Sequence, residues 1–222
     1  VRNSTFSHPD GSVKSITWDF YEDDGDDDDD EDDTFGSIDF QWLPMKLEEL
    51  VLAGLNLKGT VDTKALPSPL LAYTVNDNAL DGTFAVAGLP RRLESLDISG
   101  NRFDGPFQME DLPPSMRLIG IARNNFSGSL NCTNLPPEFE RLNAFANSFT
   151  GTIDLSHLPA TVESIRIRNN RFSQKCILID NRSDKLHDVV VSRNSYQSIE
   201  YVDSERRRTH AGSEKITYIQ FL

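Results

Sequence analysis

The stretch GTIDLSHLPATVESIRIRNNRFS, residues 151–173, decides how the rest of the chain is read. Val162, Ile165 and Ile167 fall at spacings of three and two, followed by Asn170 and Phe172 and preceded by Gly151, Ile153, Leu155, Leu158 and Pro159. Five more copies of this pattern come before it, opening at Gly36, Gly59, Gly82, Gly105 and Gly128, each 23 residues long with no slip in phase. Superimposed, the six share the template L-x-x-L-x-L-x-x-N-x-F-x-G-x-I-x-x-x-x-L-P. A unit this small cannot bury its apolar side chains alone. It has to be one coil of a solenoid, with each coil covering the next.

Within a coil, the L-x-x-L-x-L part predicts a short strand whose alternate side chains point inward, as Leu93, Leu96 and Ile98 do in the third copy. Stacking pairs these strands into a parallel sheet. The asparagines that follow (Asn78, Asn101, Asn124, Asn147, Asn170 and Asn194) sit where the chain turns inward. There a side-chain amide can satisfy the backbone groups of a buried bend, which makes them a structural ladder. In the first copy, Leu55 stands at that place. The opening glycine suits a bend, and the Leu-Pro pairs favour extended backbone over helix. The expected fold class is mainly β, with irregular or 3₁₀ backs and little α-helix.

A fixed period in the twenties with this spacing resembles the leucine-rich repeats. The N-x-F-x-G-x-I phrase is similar to their plant-type class and to repeats of protist cell-surface proteins. Two details differ from the plant class. The unit has 23 residues where that class usually has 24, and Asp follows the apolar residue in Ile38-Asp39, Val61-Asp62 and Ile153-Asp154 where plant repeats place Pro. The resemblance implies a right-handed solenoid with its parallel sheet on the concave face. It also implies extracellular recognition or adhesion, with a protein or glycan ligand held on the strand face or its flank.

Outward from the repeats, residues 36–173 form the six regular coils, residues 1–35 an N-terminal capping coil, and residues 174–222 two degenerate coils, about eight in all. Val13, Ile16 and Trp18 repeat the strand pattern, and residues 1–12 read as a flexible or capping lead-in. Val13 lies 34 residues before Leu47, one period plus eleven, and the acidic insertion 22–33 supplies that surplus almost residue for residue. At the other end, Leu186, Val189 and Val191 give a seventh strand and Ile216, Ile219 and Phe221 an eighth.

Eleven acidic residues lie between Glu22 and Asp33, so without them the formal charge of −13 falls to −2. The near-neutral body offers nucleic acid no basic footprint. The acidic run has three readings: a solvated loop, an electrostatic contact with a basic partner, or a weak Ca²⁺ binder through Asp26, Asp28, Asp30 and Glu31. No apolar run is long enough to span a bilayer, and no signal segment opens the sequence, so a mature form or a part of a longer protein is expected.

Four N-x-S/T triplets, at Asn3, Asn125, Asn131 and Asn181, point to N-glycosylation and hence to a secreted or cell-surface location. The template puts Asn125 and Asn131 at outward positions. Cys132 and Cys176 are both placed inward, two coils apart. That is nearly 10 Å at ordinary strand spacing, which favours two free thiols over a disulfide.

Outward strand positions are acidic early (Glu48, Glu49, Glu94, Asp97) and basic late. Arg117, Arg141, Asn143, Phe145, Arg166, Arg168 and Arg193 form the candidate ligand-binding surface, with Phe145 as its exposed anchor. Arg clusters read carboxylate, sulfate or phosphate groups. Because Glu140, Glu163 and Asp188 lie among them, cross-strand ion pairing explains the same pattern. No G-x-S-x-G, Gly-rich phosphate loop or H-E-x-x-H occurs, and the four histidines are scattered. The expectation is a non-enzymatic protein without a cofactor and with no firm metal site. Two functions follow. One is an extracellular recognition or adhesion scaffold. The other is a glycosylated fibre or coat subunit, stacking head to tail through the acidic insertion and the basic run Arg206-Arg207-Arg208.

Overall fold

A computed structural model describes residues 2–19, 36–180, 185–192, 198–202, 208–210 and 219–221. The chain winds as a β-solenoid around one continuous apolar core that runs from Phe40 to Val191. The L-x-x-L-x-L segments form nine of the ten strands of the principal sheet. Its pairing follows the 23-residue period. Leu50 stands beside Tyr73, Tyr73 beside Leu96, Leu96 beside Ile119, Ile119 beside Leu142, and Leu142 beside Ile165. Ile16 extends this inner column before Leu50, and Val189 and Ile219 extend it after Ile165. Leu50, Tyr73, Leu96, Leu142 and Ile165 are at most 1% exposed.

Two features stand out at the ends. About eight coils were expected. The structure closes about six complete turns, and the flanking coils contribute single strands, Val13–Asp19, Asp188–Val191 and Ile219–Phe221, to the principal sheet. Of the two readings of the lead-in, flexible or capping, residues 2–7 take the capping one. They form an antiparallel strand, Arg2–Ser7, zipped onto Val13–Asp19 through a turn in which Gly11 N–H donates to the His8 carbonyl. The pairing satisfies backbone groups that the outermost parallel strand would otherwise present at an open edge. Trp18, in register with Leu52, stays 42% exposed, because on the far side it meets this hairpin rather than a full coil.

The backs contain more β-structure than expected. The N-x-F-x-G phrase builds a second parallel sheet of five strands, from Lys58–Gly59 to Ser148–Thr150. The glycines of this phrase, from Gly59 to Gly151, take φ between 72° and 101°. A side chain is strained in that region, so the period is written in glycine. The phenylalanines pack beneath: Phe103 stacks on Phe126 at 6.2 Å and Phe126 on Phe149 at 6.2 Å, while Phe84 and Phe107 meet them edge-on at 5.4 Å. Four 3₁₀ turns (Phe40–Trp42, Thr63–Ala65, Val86–Gly88 and Met109–Asp111) form the backs of the early coils. Later coils replace them with a third sheet through Asp154–Leu155, Cys176–Asp180, Ser198–Val202 and Arg208–His210. That change moves Cys176. It was expected inward, but in its strand Ile177 and Ile179 face the core and Cys176 is half-buried. Cys132 is fully buried, and both thiols are free.

Candidate functional site

The asparagine ladder sets the geometry of the strand face. In each coil the Asn Oδ1 accepts from a backbone N–H of the preceding coil, and Nδ2 donates to carbonyls of both coils. For Asn124 the donor is Phe103 N–H at 3.0 Å, and the acceptors are the carbonyls of Ile98 at 3.0 Å, Ala122 at 3.1 Å and Ile121 at 3.3 Å. Asn101, Asn147 and Asn170 repeat the arrangement. Asn78 Oδ1 accepts from the backbone N–H groups of both Leu55 and Leu57. Asn194 lies outside the described residues. The residue before each ladder Asn is left-handed, with φ of 53° at Asp77 and Arg123, 54° at Ala146 and 57° at Asn169. This turns the chain sharply off the strand.

On the outer side of the strands, the predicted arginines are paired. Arg117 Nη2 lies 2.5 Å from Glu140 Oε1 and Nη1 4.0 Å from Glu94. Arg141 Nη2 lies 2.7 Å from Glu163, and Arg166 Nε 2.6 Å from Asp188, which also accepts from Ser164 Oγ at 2.9 Å. Each pair joins one coil to the next. The Arg117 guanidinium is pushed upward by its hydrogen bond to Glu140, and the Glu163 carboxyl is held below the usual range by its bond to Arg141. The cross-strand pairing reading therefore describes Arg117, Arg141 and Arg166 as they stand.

The remaining candidates sit on the flank. Phe145 was expected as an exposed anchor and is instead half-buried. Its backbone N–H contacts Asn143 Oδ1 at 3.4 Å and its carbonyl accepts from Arg123 at 2.8 Å. Its ring lies where the chain dives toward the ladder, so the bend covers it in part. Arg168 occupies the same place one coil later, half-buried, with its Nε lacking a partner among the described residues. Arg193 and the Ca²⁺ candidates Asp26, Asp28, Asp30 and Glu31 lie outside the described residues, as does Asn181. The side chains of Asn3 and of the basic run 206–208 do so too. Asn125 and Asn131 are exposed.

Arg141, Asn143 and Arg166 line an open trough of about 450 Å³ across five strands, whose other lining residues are not marked by charge or aromaticity alone. Ser95, Gly120, Asn143 and Ser164 keep its floor low, and Arg141 and Arg166 flank it. At Gly120 a Cβ would come within 2.6 Å of Asp97 Oδ1 and 3.0 Å of Ser99 Oγ, so glycine is what lets the Asp97 carboxylate lie across the neighbouring strand. The signal was present in the sequence as small residues at outward template positions. No cluster of three or more potential metal ligands occurs among the described residues, and no described helix is long and apolar enough to cross a membrane.

The fold is that of a leucine-rich-repeat solenoid. No family model matches the chain and no curated protein matches it in sequence. Among solved structures, it is similar to the plant peptide hormone receptor RGFR1 in complex with RGF2, with a TM-score of 0.53 and 18% identity over 76% of this chain and 34% of that one. It is also similar to the leucine-rich-repeat ectodomain of the membrane receptor kinase GASSHO1/SCHENGEN3 from Arabidopsis thaliana in complex with CASPARIAN STRIP INTEGRITY FACTOR 2 (TM-score 0.42, 19% identity, 71% of this chain and 26% of that one). A third similar structure is the BIR3–SERK2 complex from the same plant (TM-score 0.39, 24% identity, 46% of this chain and 57% of that one). The chain thus spans between about a quarter and three fifths of the length of these structures.

Proposed function

We propose that this chain is a non-enzymatic extracellular scaffold that recognises a protein or peptide ligand on its strand face. The observation that carries this reading is the trough. It is an open depression in which Ser95, Gly120 and Ser164 lie among Leu118, Asp97 and His187, with Arg141 and Arg166 in its lining already held in place by Glu163 and Asp188. Guanidinium groups fixed by a carboxylate on one edge keep N–H donors on the other, and they bind with little side-chain entropy left to lose. On the same fold, the peptide hormone receptor RGFR1 is in complex with RGF2, and an open trough crossing five strands suits an extended peptide here. The exposed sequons at Asn125 and Asn131 suit a secreted or cell-surface location.

Panning a displayed random peptide library against the chain tests the reading. Enriched peptides should lose tenfold or more in affinity, about 1.4 kcal/mol, against the double variant Arg141→Ala, Arg166→Ala. The variant should melt close to the parent, since exposed ion pairs contribute little to stability. Peptides that bind parent and variant equally would place recognition elsewhere.

A further inference from the structure

We infer that Asn131 carries an N-linked glycan that leaves the back of the solenoid without disturbing its fold. Three residues after the opening glycine, four of the six copies place a side chain that caps the back of the coil, while Ala85 and Gln108 at the same place make no such bond. Asp39, Asp62 and Asp154 do this with a carboxylate oxygen, accepting from the N–H two residues on at 3.0, 3.0 and 2.8 Å. Asn131 is the amide at that place, and it caps in the same way: Oδ1 accepts from Thr133 N–H at 3.1 Å. The following residues, Cys132 and Thr133, turn this cap into an acceptor sequon. The Thr133 hydroxyl donates to the same Oδ1 at 2.7 Å, so amide and hydroxyl are already in contact.

The bond inventory of the amide separates this position from the other asparagines. In the ladder, Nδ2 is committed to buried carbonyls, and a sugar there would break the bend. At Asn131 the fold uses only Oδ1. Among the described residues Nδ2 makes no hydrogen bond, and the side chain is exposed. Attachment replaces one N–H of Nδ2 and keeps the oxygen, so the cap survives modification. Asn125, the other described sequon with an exposed side chain, lies in the strand Asn125–Ser129, which is paired on both sides. The residues 131–133 belong to no strand. The trough is lined only by residues 95–97, 118–120, 141–143, 164, 166 and 187–188, so a glycan at Asn131 leaves it open.

The test is glycopeptide mapping of the 222-residue chain secreted from a eukaryotic cell line behind an added signal segment. The Asn131 peptide should be glycosylated and should convert to Asp on treatment with peptide N-glycanase. Asn131→Asp should lose that glycan while melting within a few degrees of the glycosylated parent, because its carboxylate makes the same cap that Asp39 and Asp62 make. Thr133→Ala should also lose it, with the amide still present. An unmodified Asn131 in the secreted parent would overturn the inference and leave the residue as a cap alone. A glycan found at Asn125 but not at Asn131 would do the same. Neither result bears on peptide binding at the trough.

Discussion

At the scale of single residues, two kinds of polar group on this surface differ sharply in what they contribute. The central ladder amides, Asn101, Asn124 and Asn147, are buried and bonded through both Oδ1 and Nδ2, whereas the strand-face ion pairs stand in solvent. Removing one ladder side chain leaves a buried N–H and at least one buried carbonyl unpaired, each costing about 1–3 kcal/mol. Asn124→Ala should therefore lower unfolding free energy by about 3 kcal/mol, read from urea titration. A loss below about 1 kcal/mol would mean that water replaces the amide and that the ladder is not what holds the bend. The asparagines were legible in the sequence from their spacing alone, because a lone amide recurring at the end of each strand has few other uses. The part played by Gly120 was not legible. Its consequence depends on where Asp97, 23 residues earlier, lays its carboxylate.

Among the elements, the coil backs show how one column of side chains accommodates several local conformations. Phe40, Thr63, Val86, Met109, Cys132 and Leu155 occupy equivalent inward places, all buried, beneath 3₁₀ turns early and strand later. Cys132 is pushed up to about 12, chiefly by burial and then by the negative charge of Asp154 in the next coil. Because this thiol binds its proton more tightly folded than unfolded, its contribution is intact below the ordinary thiol range and is lost as pH rises from about 9 toward 12. The slope is at most about 1.4 kcal/mol per pH unit. Urea unfolding of the parent across this window should show that fall, and Cys132→Val, which fills the same column, should remove one proton's share of it. Equal slopes in parent and variant would mean that the thiol titrates alike in both states. The second sheet was missed at this scale. The opening glycine predicts a bend, and that the residues around it pair into strands across coils depends on contacts between coils.

For the whole molecule, stability should propagate from neighbour to neighbour, since nearly all pairing joins adjacent coils. Excising residues 105–127, one full period, should leave a cooperatively folded protein with strand-rich circular dichroism, because Asp104 then meets Gly128 with every column in phase. Excising residues 105–115 instead should abolish cooperative unfolding, because eleven residues put apolar and polar columns out of register. If both deletions behaved alike, the coils would not be the unit of folding.

From sequence alone came the coil length, the inner columns and the amide ladder, because each repeats at a fixed interval and a solenoid turns interval directly into neighbourhood. The tertiary structure decided what interval cannot encode. It half-covers Phe145 at the dive, turns Cys176 outward when the back changes from turn to strand, closes the first edge with a hairpin, and opens a trough where small residues from several coils line up. Those outcomes depend on which side chains of different coils come to lie against one another and how far each one reaches. A period fixes the order of contacts, and the shape of the surface follows only once the side chains are in place.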